Sequence, residues 1–147
     1  MSGKSTYLAN AFLNALFNGT GGITGLFLPD TSGAEFADLY ISLHTTDPGP
    51  GGNQATAELS YTPYARVAVA RLTGGFTVSS AGILYPTSNI SFPTVTSGAA
   101  ATAAFMGIGT LSTGGGVLLY SGPISPLITI GVGLTPILTT STSIGEN

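Results

Sequence analysis

The sequence contains no cysteine and no tryptophan, and only 6% of its 147 residues are charged. The absence of cysteine excludes disulfides, thiolate nucleophiles and cysteine zinc sites. The three basic residues are Lys4, Arg66 and Arg71, too few to neutralise a run of phosphates, so no nucleic acid partner is expected. An average soluble domain has about 25% charged residues. This shortage of charge predicts a surface that is buried largely against other subunits.

Long uninterrupted hydrophobic runs are also missing, although the mean hydropathy is +0.43. No residue is charged from Leu72 to Gly145, yet the most apolar part, 117–138, is broken by three prolines and three glycines. A membrane span needs about 20 predominantly apolar residues in a helix, which such a segment cannot form. The sequence therefore predicts no membrane partner and no targeting segment.

One segment near the N-terminus has helical periodicity. Leu8, Phe12 and Leu16 recur at intervals of four residues, which places them on one face of a helix. Asn18-Gly19 follows as a typical helix exit. These features predict an α-helix over residues 5–18.

The rest of the sequence is typical of short β-strands. Residues 39–45 alternate between apolar and polar side chains, as in a strand that buries one face. Further short β segments, separated by glycine, proline, serine and asparagine, continue towards residue 147. The pattern predicts a mainly-β fold, an antiparallel β-sandwich or barrel with one N-terminal α-helix. We expect a single domain over 1–147, with the β part over 39–147 and a flexible loop over 46–56.

The residues that could carry catalysis or bind a metal form no recognisable motif. Gly3-Lys4-Ser5-Thr6 lacks the earlier glycine and the strand of a phosphate-binding loop, which favours an N-terminal arm before the helix. His44, the only histidine, has no cluster of carboxylates around it that would complete a metal site. We interpret it as a strand residue that a hydroxyl or carbonyl group satisfies. With no Gly-x-Ser-x-Gly elbow and no evident acidic pair, the sequence predicts neither an enzyme nor a cofactor.

The two arginines within the predicted strand 65–72, Arg66 and Arg71, leave two interpretations open. Each is held either by an acidic residue of the chain, such as Asp38, Asp47 or Glu58, or by a carboxylate of a neighbouring subunit. Aromatic and charged side chains beside the predicted helix, loop and strands are the candidates for an interface. They are Tyr7, Phe12, Asp47, Tyr61, Tyr64 and Arg66.

Several short sequence segments, taken in their order along the chain, form a distinctive combination. The most specific is the strand-to-loop block that ends in Thr45-Thr46-Asp47-Pro48. The others are Lys4-Ser5-Thr6-Tyr7-Leu8, Tyr64-Ala65-Arg66-Val67, Ile90-Ser91-Phe92-Pro93, Leu118-Leu119-Tyr120-Ser121-Gly122 and Glu146-Asn147. In this order the series resembles a family of small tailed-bacteriophage virion proteins, described as tail-fibre-like and in other cases as capsid decoration proteins.

The resemblance implies a non-enzymatic structural protein of the virion, on the capsid surface. As a capsid decoration protein, the leading interpretation, its partners would be the major capsid protein and further copies of itself in a homotrimer. The predicted helix and the 46–56 loop are the expected contact regions. One alternative is a tail-fibre or tail adaptor component. Another, from a different class, is a carbohydrate-binding or depolymerising surface protein.

Overall fold

The computed structural model of the chain describes residues 6–19 and 37–145. These ranges contain one helix and nine strands, arranged in antiparallel sheets that do not close into a barrel. The mainly-β fold with an N-terminal helix is confirmed. The elements are α1 Thr6–Asn18, β1 Asp38–His44, β2 Val67–Ala70, β3 Phe76–Val78, β4 Ile83–Pro86, β5 Ile90–Ser91, β6 Ala101–Gly109, β7 Leu118–Ile130, β8 Ile137–Leu138 and β9 Ile144–Gly145.

The chain divides into two compact units. The helical unit comprises Met1–Asp38, Ala70–Ile90 and Leu138–Asn147, and the sheet unit comprises Leu39–Val69 and Ser91–Ile137. Folding of both units as the single domain expected over 1–147 stays a prediction.

In the helical unit, α1 buries an apolar stripe formed by Leu13, Leu16 and Phe17. The Phe17 ring meets the Phe76 ring of β3 edge-on, with their centroids 5.1 Å apart. Arg71 donates hydrogen bonds of 2.7 Å to the carbonyls of residues 15 and 16, in the last turn of α1. A positive charge is favourable there because unpaired carbonyls give a helix C-terminus a partial negative charge. Strands β3, β4 and β9 form a three-stranded sheet in that order.

In the sheet unit, four strands lie in the order β2, β1, β6, β7. The central strands β1 and β6 are antiparallel, from the pair Tyr40↔Gly109 to the pair His44↔Phe105. From Ile41 to His44 every β1 side chain is buried, so the expectation of one solvent-facing side was wrong for this part of the strand. The segment after β1 folds back against the strand: the Leu59 amide donates to the Leu43 carbonyl at 2.9 Å, and the Thr56 carbonyl lies 2.8 Å from the His44 ring.

The outer strand β7 is irregular in its middle. Ala103 pairs with Ile128 and Phe105 pairs with Pro123, so residues 124–127 stand opposite Ala104 alone. Extra residues on one strand form a bulge, in which they are left unpaired and the strand bends. Beyond β7, residues 131–136 bond through their backbone to residues 92–95. The short strands β5 and β8 form a separate two-stranded ribbon.

Candidate functional site

The most polar part of the sheet unit is a buried network around His44. Its Nδ1 lies 2.8 Å from the carbonyl oxygen of Thr56 and its Nε2 lies 2.8 Å from the hydroxyl of Ser42. Because a carbonyl only accepts, Nδ1 carries the proton and donates it, and Nε2 of the neutral ring accepts from the Ser42 hydroxyl. This confirms the interpretation of His44 as a strand residue that a hydroxyl and a carbonyl satisfy.

The His44 ring is closed off from solvent. Ser42 and His44 are both 0% exposed, and burial lowers the pKa of His44 below its usual 6.5, which keeps the ring neutral. A Cβ at Gly107 would lie 2.6 Å from His44 Nε2 and 2.8 Å from Ser42 Oγ, so glycine is needed at this position. The serine–histidine pair resembles part of a hydrolase triad, but a substrate cannot reach a hydroxyl without exposed surface. Its contacts instead fasten the segment around Thr56 to β1.

A second part of the network is an ion pair between Glu58 and Arg66. The guanidinium donates from Nε and from one terminal nitrogen to the two carboxylate oxygens, each at 2.7 Å. The Tyr64 hydroxyl donates to the same carboxylate at 3.0 Å and accepts from the Leu43 amide of β1. Burial, with the nearby carboxylate, raises the pKa of Tyr64 well above its usual 10, so its hydroxyl keeps the proton that it donates. Of the three acidic residues considered for Arg66, the structure selects Glu58.

The network also holds the β6–β7 connection, residues 110–117. Arg66 donates to the carbonyls of Leu111 and Gly114, at 2.8 Å and 2.6 Å. Gln54 exchanges two bonds with the Leu111 backbone, and its side chain occupies the space where a Cβ at Gly109 would stand. Two loops that are distant in sequence are thereby joined to each other. The loop flexibility predicted over 46–56 stays a prediction.

The residues predicted to form an interface fall into two groups. Tyr61, Tyr64 and Arg66 use their polar side-chain atoms within the chain, Tyr61 by donating to the Pro93 carbonyl at 2.9 Å. Asp47 is exposed and accepts from the Gly49 amide at 2.9 Å, and Phe12 is half-buried on α1. Tyr7 belongs to α1, but its side chain lies outside the described part of the structure. Contact of these residues with another protein stays a prediction.

Sequence reasoning did not single out the exposed apolar side chains. In the helical unit, Leu72 is exposed. In the sheet unit, the exposed apolar side chains precede β7 or lie in its second half and beyond it. They are Leu111, Val117, Leu127, Val132, Leu134 and Ile137. The sequence shows large apolar residues between glycines and prolines in this region. That pattern fits a buried strand as well as an exposed one, so it does not predict that these side chains are exposed.

Two classes of site are absent from the described residues. In residues 6–19 and 37–145, no group of three or more histidine, cysteine or acidic side chains is placed to hold a metal ion. The described part of the chain also has no helix with the length and hydrophobicity needed to cross a membrane. What the geometry of the sheet unit offers is a buried network of hydrogen-bonded polar groups, with apolar side chains exposed elsewhere on its surface.

Comparison with known proteins agrees with a structural role. A family model described as Podophage GP4 fiber I protein gp80 matches residues 3–143, nearly the whole chain. The chain belongs to this family. No curated protein matches the chain.

Membership of the gp80 fibre family confirms the resemblance to phage virion proteins of the tail-fibre-like kind. It makes the chain a phage fibre-like structural protein associated with the virion. The family description names a fibre and does not mention the capsid.

Proposed function

We propose that this chain is a non-catalytic structural subunit of a phage tail fibre or of the adaptor that carries one. The family match over residues 3–143 is the observation that carries the proposal, because the family description names a fibre protein. Among the two virion roles that the sequence left open, this favours the tail component over capsid decoration.

The geometry of the sheet unit supports a structural role. Its buried polar groups bind one another: His44 is enclosed by Ser42 and Thr56, and the Glu58 carboxylate is occupied by Arg66 and Tyr64. A general acid or base must reach the atom that it protonates or deprotonates. Groups held in this way instead fasten segments of two loops by hydrogen bonds, which suits a structural subunit.

The surface supports assembly rather than reaction. Six large apolar side chains are exposed at the two ends of β7, within a stretch of sequence that has no charge. Exposed apolar surface of this kind marks sites of protein contact. In a fibre, such contacts would join each subunit to its neighbours.

The experiment that tests the proposal locates the protein on purified virions. Antibody labelling observed by electron microscopy, combined with peptide quantification against the major capsid protein, should place a small number of copies at the tail. Label spread over the shell in numbers that scale with the capsid protein would overturn the tail role. Absence of the protein from purified virions would overturn every structural role.

Capsid decoration is the second candidate, with the major capsid protein and a homotrimer of this chain as the implied contacts. It is supported by the low charge of the chain, because an uncharged surface is also suited to spreading over a protein shell. The same labelling experiment separates the two candidates. No observation on the described residues favours the carbohydrate-binding or depolymerising alternative.

A further inference from the structure

Residues 53–57, which we call the strap, link the end of β1 to the β6–β7 connection. The Thr56 carbonyl lies 2.8 Å from Nδ1 of His44 on β1. The Gln54 amide donates to the Gly116 carbonyl at 3.1 Å, and the Gln54 side chain, which is 0% exposed, is bonded to the same connection. The strap therefore has one contact with a titratable side chain and several with a neighbouring loop.

The strap ends at a fixed anchor. Glu58, the next residue, is bound by two nitrogens of Arg66, and the Leu59 amide donates to the Leu43 carbonyl at 2.9 Å. Immediately before this anchor, Ala57 has a φ of +54°, a left-handed conformation that is unfavourable for a residue with a Cβ. Rotation at Ala57 would relieve that strain and release the strap while the anchor stays bonded.

The contact between the strap and His44 suits a neutral ring. Nδ1 donates to the Thr56 carbonyl, and Nε2 accepts from the Ser42 hydroxyl. Among the described residues the Ser42 hydroxyl has no other acceptor, so a proton on Nε2 would leave it without one. The ring is 0% exposed, so water could not solvate its positive charge. Protonation of His44 is therefore unfavourable while the strap is closed.

The charged side chains near His44 supply no counter-ion of its own for a protonated ring. Those that face it are Glu58 and Arg66, whose opposite charges act on it in opposite directions. Both Glu58 oxygens are already bound by Arg66, and Tyr64, which keeps its proton, donates to the same carboxylate. The effects of the pair on the ring thus partly cancel.

The strands around His44 bring no further charge to it. Strands β2, β6 and β7 contain no charged residue. Tyr120 of β7 pairs with Ile108, on the face of the sheet opposite to His44. On β1 itself, the titratable residues Asp38 and Tyr40 lie at least about 13 Å from His44 along the strand.

Strap closure and protonation of His44 are therefore coupled. Burial lowers the pKa of His44 below 6.5 while the strap is closed, whereas a ring exposed to water takes up a proton near its usual pKa. Release of Thr56 exposes Nδ1 of the ring. As the pH falls through this range, the open form binds a proton that the closed form does not, which shifts the population towards the open form.

We propose that the strap is an acid-sensitive latch, which is closed against a neutral His44 and released when that ring takes up a proton. Release would detach Gln54 from residues 110–117, which Arg66 would continue to hold. The proposal concerns contacts within one chain, so it does not depend on where the chain lies in the virion.

The test follows the exchange of backbone amides with deuterated water by NMR, on the full-length protein at several pH values. After correction for the intrinsic effect of pH on exchange, the Gln54 amide reports opening of the strap. The Leu59 amide and the amides of β6 report opening of the anchor and of the sheet. The ring signal of His44, the only histidine in the sequence, is recorded in the same samples.

We expect the Gln54 amide to be at least about tenfold less protected than the Leu59 amide at every pH, because the strap opens without the anchor. Its protection should fall by about tenfold from about pH 7.5 to about pH 5.5, since opening takes up one proton. His44→Gln should abolish this fall. The matched control Asp47→Asn, which removes an exposed carboxylate from the loop before the strap, should retain it.

Three results would overturn the proposal. They are a Gln54 protection that does not change with pH, a fall that persists in His44→Gln, and equal protection of the Gln54 and Leu59 amides, which would assign exchange to unfolding of the whole unit. If His44→Gln does not fold, the wild-type ring signal decides. The fall in Gln54 protection must then stop at the pH where the His44 ring itself titrates, and a fall that stops elsewhere would assign it to another group.

Discussion

Removal of the Glu58 carboxylate should destabilise the sheet unit more than any other single change to a charged residue there. Glu58→Ala removes the acceptor of two 2.7 Å bonds from Arg66 and of the 3.0 Å bond from Tyr64. The Arg66 side chain is 2% exposed, so its charge would stay buried without a counter-ion. Breaking a buried ion pair from one side costs about 3–5 kcal/mol of unfolding free energy.

Two remaining hydrogen bonds of Arg66 reduce this loss of unfolding free energy but do not cancel it. Arg66 would keep its contacts with the carbonyls of Leu111 and Gly114, which are neutral acceptors and cannot replace the carboxylate charge. We therefore expect a loss of about 4 kcal/mol, near the middle of the range for a broken buried pair. For a protein of this size that loss lowers the midpoint of thermal unfolding by about 10 °C.

Urea and thermal unfolding followed by far-UV circular dichroism measure this loss. The matched control is Asp47→Asn, since Asp47 is an exposed carboxylate whose bond to the Gly49 amide an amide oxygen can replace. Its effect should stay below about 0.5 kcal/mol. Adding Arg66→Met to Glu58→Leu should recover part of the loss, because no unpaired charge then remains. A Glu58→Ala protein within about 1 kcal/mol of the control would refute the assignment of a buried, unscreened pair.

Three further predictions concern other contacts. Burial lowers the pKa of His44 below 6.5, so as the pH falls the unfolded chain takes up a proton before the folded protein does. The free energy of unfolding should therefore decrease from about pH 6.5 downwards, until His44 also protonates in the folded state. Urea titrations at several pH values should show this decrease in the wild type and not in His44→Gln. Gly107→Ala should lower the free energy of unfolding by about 1–3 kcal/mol in the same assay, because its Cβ would lie 2.6 Å from the His44 ring. The control Gly122→Ala has open space around its Cβ and should lower it by less than about 1 kcal/mol. Arg71→Met should destabilise α1 by about 2 kcal/mol, measured as lost helical signal on heating, because it removes two charged hydrogen bonds from the helix C-terminus; an unchanged melting curve would contradict that role.

The local elements of this fold were predictable because their signals are local. The spacing of Phe12 and Leu16 and the Asn18-Gly19 exit fixed α1 within one residue, and the alternation over 39–45 located β1. The same alternation gave the wrong exposure for Ser42 and His44, since what covers them is a segment more than ten residues away along the chain. Periodicity reports which side chains share a face, and it does not report what lies against that face.

The candidate site depended on contacts that have no local signal. Glu58 was one of three acidic residues considered for Arg66, and the choice is made by the backbone bridge that sets Glu58 opposite His44 at the end of β1. Leu127, which is exposed, lies in a bulge that arises from a register shift between β6 and β7, and residue types alone do not specify such a shift. Long-range register therefore determines the partners in the buried network and the position of the bulge in β7.

The placement of charge connects this fold to its proposed role. Both described arginines donate hydrogen bonds within the chain. Arg66 binds groups of two loops, and Arg71 binds the end of α1. Both cations thus bind groups inside the chain and contribute no charge to the surface around β7. No residue from Leu72 to Gly145 is charged, so the contacts proposed around β7 would meet little electrostatic repulsion and would depend weakly on salt. The proposed fibre role requires ordered loops and a surface that other proteins can contact, and the internal placement of these two arginines is consistent with both requirements.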